Sequence, residues 1–308
     1  MKTLILISVF LLTFSSAFAQ SVKEHNDLGL TYLKQNNYPA AVAEFNKAID
    51  ADHNNYEGYS DRALANVKLG NLTGAISDAT QAIEIDPKFV AAYNNRGTAY
   101  IIQGRIADAI ADYSKALELN PRSVSAYANR GRANMTRGDL TGAISDYSKA
   151  IEIDPKAESL YVDRGIVYVK KGNFTDAIAD LNKAVLINPK DTIAYTVRGT
   201  VYYNQGNLIA AVSDFSQNIV INPKDVESYM SRALTYLRSN NTGEAILDLS
   251  KVVEIDPNDA RAYFNRAVGY FQLKQFDKAW SDVHKIQRLG GTVNPDFLTA
   301  LKNATGNK

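Results

Sequence analysis

A chain in which one aromatic residue returns every 34 positions must repeat one small packing unit, because no single core can use the same side chain at so even an interval. Seven tyrosines keep that spacing without a break: Tyr59, Tyr93, Tyr127, Tyr161, Tyr195, Tyr229 and Tyr263. Three residues after each stands an arginine, namely Arg62, Arg96, Arg130, Arg164, Arg198, Arg232 and Arg266, and the residue after that is Gly or Ala. Eight alanines from Ala41 to Ala279 and six prolines from Pro87 to Pro257 hold the same register. No insertion disturbs it from about Val22 to Val293.

Inside one unit the apolar spacing is helical, as in Tyr93, Gly97 and Tyr100 and then Ala109, Tyr113, Ala116 and Leu117. The first stretch ends near Gly104 and the second near Pro121, which predicts two helices of roughly 13 residues joined by a tight turn. Thr73, Thr141, Thr175 and Thr242 stand where second helices should begin and are expected to cap them. An Asp-Pro or Asn-Pro pair ends each second helix, since proline restricts the residue before it and cannot continue the hydrogen-bond ladder.

With these residues in place the chain resembles the tetratricopeptide repeat family, whose unit of 34 residues carries an aromatic, a small residue, a tyrosine, an alanine, an aromatic, an alanine and a proline. In the third unit they fall on Tyr93, Gly97, Tyr100, Ala109, Tyr113, Ala116 and Pro121. The resemblance implies an all-α, right-handed superhelical solenoid of eight helix-turn-helix repeats, with first helices lining the concave side. The repeats span 20–293, with units starting near 22, 56, 90, 124, 158, 192, 226 and 260. The first unit departs from the pattern, with His25 for Tyr, Leu28 for Arg and His53 for Pro, as suits an edge without a preceding neighbour. After Gly290-Gly291, residues 294–308 are expected to form a short capping helix and tail, with Phe297, Leu298 and Leu301 on one apolar side.

The acid that answers each arginine is periodic too: Glu44, then Asp78, Asp112, Asp146, Asp180, Asp214, Asp248 and Asp282. In an antiparallel helix pair, residues at equal height are symmetric about the turn. Arg96 and Asp112 average to Gly104, the turn within the unit, whereas Arg96 and Asp78 average to Pro87, the turn between units. Each arginine is therefore level with two carboxylates, and a ladder of charge-assisted hydrogen bonds along the stack is expected. Its expected role is register, because a misaligned stack would leave a buried charge unpaired at a cost of roughly 3–5 kcal/mol. The competing reading, anion capture by the arginines, is weaker because every arginine has an acid at hand.

A partner in the concave groove would meet first-helix residues that the core does not use. The candidates are Asn94 and Ile102 in the third unit, Arg132 and Met135 in the fourth, and Tyr203, Met230, Leu237, Arg238, Phe264 and Phe271 toward the C-terminus. Rigid aromatics with Met and Arg are typical anchors, although aliphatics such as Leu234 and Val268 at helical spacing could equally pad the seam between helices. Family members that grip a peptide's terminal carboxylate use a set of lysines, asparagines and an arginine in fixed first-helix places. The corresponding run here is Asn26, Leu30, Asp61, Ala91 and Asn95, so no such clamp is expected.

Catalysis is not expected. The histidines His25, His53 and His284 occupy different places in their units, which supports neither a metal site nor a Ser-His-Asp arrangement. No Gly-rich phosphate loop occurs, and no metal or cofactor is expected. The asparagines of Asn71-Leu72-Thr73, Asn173-Phe174-Thr175 and Asn303-Ala304-Thr305 fit turns and caps better than glycosylation.

Residues 1–19 have the order of a secretory signal peptide: Lys2, an apolar run from Leu4 to Phe14, then Ala17-Phe18-Ala19 before Gln20. The alternative, a retained anchor, would need roughly 20 apolar residues. Export to the periplasm or the exterior is expected, with no membrane span after cleavage. The absence of cysteine leaves stability to the apolar core alone. Removing residues 1–19 takes Lys2 from the 34 basic residues, leaving 33 against 33 acidic, a balance that argues against nucleic acid. The partner expected is a protein or peptide held non-enzymatically. The alternative is self-association as a structural protein of the cell envelope.

Overall fold

A computed structural model of the protein describes residues 20–306. The expected signal segment, residues 1–19, and the last two residues lie outside the described residues. The chain divides into two compact units, Met1–Leu160 and Tyr161–Lys308. The described residues are helical throughout, with short turns and no strand.

In the first unit, α1 (20–34), α2 (Tyr38–Ala51), α3 (Tyr56–Lys68), α4 (Leu72–Ile85), α5 (Val90–Ile102), α6 (Ile106–Leu119), α7 (Val124–Arg137) and α8 (Leu140–Ile153) form four antiparallel hairpins. From α2 onward each helix packs against the next, and the first helices α3, α5 and α7 also touch one another. The helix α9 (Glu158–Lys171) runs into the second unit, which holds α10 (Phe174–Ile187), α11 (Thr192–Asn204), α12 (Leu208–Ile221), α13 (Val226–Arg238), α14 (Thr242–Ile255), α15 (Ala260–Gln272), α16 (Phe276–Arg288) and α17 (Pro295–Thr305). There too, successive helices pack in order.

The hairpin turns depend on a left-handed residue, Gly104 at φ 78° and Gly138 at φ 90° being examples, a conformation glycine adopts without the Cβ penalty. After it the chain enters the second helix sooner than the threonines suggested, the cap lying two residues before Thr73, Thr141 and Thr175 and one before Thr242. The caps are Asn71, Asp139 and Asn173, whose side-chain oxygens accept from the amides of Gly74, Gly142 and Asp176. Thr73, Thr141 and Thr175 are the second residues of their helices, and Thr242 is the first of α14, its hydroxyl donating instead to Gln272 at 2.9 Å.

With one exception, the small residue behind each arginine, and Gly29 at the same place in the first hairpin, is matched in size to the side chain opposite it. A Cβ on Gly97 would lie 2.8 Å from the Tyr113 ring, one on Gly199 2.9 Å from Phe215, and one on Gly29 2.5 Å from Phe45. Where the second helix carries Ala79, Leu249 or Val283 instead of a ring, the first helix carries Ala63, Ala233 or Ala267. The fifth hairpin departs from this, since Gly165 faces Leu181, which would lie 3.2 Å from an added Cβ; elsewhere close packing decides which hairpins need glycine.

Each arginine clasps the aspartate of its own hairpin with two parallel bonds. In Arg96, Nε and Nη2 donate to the two oxygens of Asp112, both at 2.8 Å. The same fork joins Arg62 to Asp78, Arg130 to Asp146, Arg164 to Asp180, Arg198 to Asp214, Arg232 to Asp248 and Arg266 to Asp282. All seven carboxylates are buried, none more than 8% exposed. The bond to its aspartate holds each of Arg96, Arg164, Arg232 and Arg266 above its ordinary pKa, against the opposing effect of burial.

The guanidinium also reaches the preceding hairpin, but not its carboxylate. Its Nη1 donates to a neutral oxygen two residues further along: Asn46 for Arg62, Thr80 for Arg96, Ser114 for Arg130, Asn182 for Arg198, Ser216 for Arg232 and Ser250 for Arg266. The expected bridge between two acids is thus a bridge from an acid to a hydroxyl or amide. The geometry explains the preference, since both oxygens of one carboxylate are taken by the planar fork. The first hairpin, lacking arginine, satisfies Glu44 with Lys47 and His25, both at 2.7 Å. The Lys47 hydrogen bond, with a smaller one from His25, holds the Glu44 carboxyl below its usual range.

Candidate functional site

The ten candidate groove residues divide four and six between the units. In the first unit Ile102 is 55% exposed and Arg132 is exposed, whereas Asn94 and Met135 are half-buried. In the second unit three of the six are not free to meet a partner. Met230 is only 5% exposed and belongs to the core of α13 and α14 with Ala233, Leu249 and Val252. Unlike its equivalents Thr196 and Phe264, it turns into the seam, where Asn265 approaches its sulfur at 3.6 Å.

Phe264 and Phe271 are covered by the chain's own C-terminus. Phe297 of α17 stands edge-on to both, with ring centroids at 5.6 and 5.7 Å, and Phe276 closes the cluster at 5.7 Å from Phe271. Leu301 is fully buried beneath them. Phe297 lies 34 residues after Tyr263, and Leu301 lies 34 after Ala267, so α17 takes the place that a ninth first helix would fill. It covers the final aromatics as a cap.

An open part of this face lies between α11 and α13. A cavity of about 160 Å³ is lined by Thr200, Tyr203, Phe215, Ser231 and Leu234. Phe215 rises from α12 beside Gly199, whose missing Cβ leaves it room. Leu234 is 37% exposed, and Leu237 is half-buried against the α13 core. Arg238 lies over the Tyr203 ring, 4.7 Å from its centroid, and donates to the Tyr203 carbonyl. Phe215 and Ser231 were not among the expected site residues. Phe215 reads as core from its period, and Ser231 sits one residue past the groove stripe.

A larger cavity, about 670 Å³, opens in the first unit among Asn26, Leu30, Tyr56, Phe89 and the acids Asp27, Asp52, Glu57 and Asp61. Burial, and secondly the Glu57 charge, push the Asp61 carboxyl up to about 6. The run compared with the family's carboxylate clamp crosses this region through Asn26, Leu30 and Asp61, and Lys23 also lines the cavity.

The three histidines stand in unlike surroundings. His25 is engaged with Glu44, His53 is exposed, and His284 stacks on Trp280 at 5.6 Å. Among the described residues no group of three or more His, Asp or Glu side chains could hold a metal ion, and no helix is long and apolar enough to cross a membrane. The fold and its open first-helix face define a helical repeat protein.

Models described as tetratricopeptide repeat match residues 26–89, 90–158 and 226–259, and one described as TPR repeat matches 165–206; together they cover more than half of the chain. The chain belongs to the tetratricopeptide repeat family, whose members are generally protein-interaction scaffolds. No curated protein sequence matches it. Among solved structures it is similar to YrrB, described as a tetratricopeptide repeat protein with an unusual peptide-binding site, at 27% identity and TM-score 0.51, over 60% of this chain and 95% of that one. It is also similar in fold to a tetratricopeptide repeat protein from Parabacteroides merdae, at 24% identity and TM-score 0.56, over 82% of this chain and 99% of that one. The C-terminal part of a repeat protein from Cytophaga hutchinsonii aligns at 19% identity and TM-score 0.63, over 78% and 98%.

Proposed function

We propose that the protein is a non-catalytic scaffold that holds a segment of another protein on its first-helix face, in the second unit between α11 and α13. The observation that carries this is the cavity walled by Tyr203, Phe215 and Leu234, with Arg238 at its rim. A concave apolar site with a few polar groups is the form binding pockets take, and the peptide-binding site of YrrB is in keeping with it. The protein acts outside the cytoplasm after removal of residues 1–19; mass spectrometry of the mature chain should find Gln20 at its N-terminus.

The test is photo-crosslinking in the native cell, with a photoreactive residue at exposed Thr200 or at Lys251 on the second helix α14. Labelling of one partner from Thr200 but not from Lys251 is the expected result. Equal labelling from both positions would refute the assignment.

Self-association is favoured by a different observation. Leu186 and Val220, each 73% exposed, stand where Glu84, Glu118, Glu152 and Glu254 occupy the same place in other hairpins. A monomer by light scattering at micromolar concentration removes this reading.

A further inference from the structure

The cavity between α11 and α13 has the size and charge of a particular guest, a point that rests on the first-helix face being the binding surface. At about 160 Å³ it matches the roughly 150 Å³ apolar cavity that accepts a benzene molecule in another protein. That is the size of one phenylalanine or leucine side chain. The chain supplies its own example of such a guest, since Phe297 of α17 is seated on the equivalent face of α15 in edge-to-face contact with two rings.

The rim tells what should flank that side chain. The Ser231 hydroxyl makes no hydrogen bond among the described residues, and Thr200 spends its proton on the Thr196 carbonyl, leaving an oxygen free to accept. These suit the amide groups of an extended backbone. Beside it stands Arg238, which lies over the same Tyr203 ring that walls the cavity. Arg198 and Arg232 are each clasped by an aspartate, whereas among the described residues Arg238 has only the Tyr203 carbonyl and ring as partners. A cation that is stacked in place with unused donors is the complement of a carboxylate.

We propose that this site recognises an extended peptide in which a phenylalanine or leucine side chain enters the cavity while a nearby aspartate or glutamate meets Arg238. A random twelve-residue peptide display library selected on the mature protein provides the probe, followed by affinity measurement on a synthesised winner. Winners are expected to pair Phe or Leu with Asp or Glu within a few residues. Leu234→Trp, which fills the cavity, should weaken a winner at least tenfold. Arg238→Glu, an exposed change that leaves the cavity intact, should keep the apolar requirement and move the charge preference to lysine or arginine. Circular dichroism establishes that each variant is folded, and the surface variant carries the test if the filled one is not.

Winners that bind Leu234→Trp within twofold of the parent, or an Arg238→Glu selection that still prefers acids, would overturn the proposal while leaving the face itself in place. Failure to select any peptide would overturn it as well. The binding face then stands or falls by the Thr200 crosslink alone.

Discussion

Removing the Phe297 ring should detach the C-terminal cap and leave the repeats before it folded. The ring is half-buried between Phe264 and Phe271. Full burial of a phenylalanine contributes about 1.5–3 kcal/mol, so the buried half gives roughly 1–1.5. The two edge-on contacts add about 0.5–1.5 kcal/mol each, and Phe297→Ala should cost roughly 2–4 kcal/mol locally. A helix of 11 residues such as α17 is marginal on its own, so a loss of that size releases it. The chain carries its own reporter, because its single tryptophan, Trp280, donates to Thr305 of α17 at 3.3 Å. In Phe297→Ala the Trp280 emission should shift to the red, and in urea it should change well before the far-ultraviolet dichroism of the remaining helices. Coincident transitions with unchanged emission would refute the reasoning, showing that α17 is held by something other than these rings.

Two further substitutions test the packing and the electrostatics. Gly97→Ala places a Cβ 2.8 Å from the Tyr113 ring and should destabilise by roughly 1–2 kcal/mol. Gly131→Ala, at 3.2 Å from Tyr147, should be close to neutral because alanine's better helix propensity returns about 1 kcal/mol; the reverse ranking in urea melts would contradict the size matching. Asp61 is an acid whose folded pKa, about 6, lies above its ordinary 3.8, so its ionisation disfavours folding above pH 6 and the penalty fades as the pH falls to 4. Asp61→Asn should therefore raise the melting temperature at pH 7.5, with a stability gain bounded by roughly 3 kcal/mol, and give little or no gain at pH 4. An equal gain at both values would show that the carboxylate is not the cause.

The helices and their pairing were legible because one interval of 34 residues leaves the apolar positions no other period to satisfy. The arginine was legible as a level partner of two acids, but not which one it would take. The symmetry about each turn allows both, and only the reach of the fork and the presence of Thr80 or Ser114 two residues on decides it. The caps were misplaced because threonine and asparagine both cap helices, and the left-handed glycine admits the second helix early enough to give the cap to Asn71 and Asp139. Met230 could not be assigned from its place, since the same position is exposed as Thr196 and buried as methionine. Phe297 was legible as part of a capping helix, and its place one further interval beyond Tyr263 could also have shown that Phe264 and Phe271 are covered from within. The open cavity had no sequence signature, for it is space left between residues that are ordinary singly.

The claim on which the rest depends is that each arginine holds its hairpin in alignment through the buried aspartate opposite. A double-mutant cycle on Arg130 and Asp146 tests it most directly. The arginine side chain is 25% and the aspartate side chain 6% exposed, and Asn134 donates to the same carboxylate at 2.9 Å. Breaking a fully buried pair costs roughly 3–5 kcal/mol, so with partial exposure and this remaining bond Arg130→Ala should lose about 2–3 kcal/mol in urea at pH 7. Adding Asp146→Asn should return part of that loss, giving a coupling of about 1 kcal/mol or more. Losses that simply add, or an Arg130→Ala protein within 0.5 kcal/mol of the parent, would show that the pair does not hold the alignment.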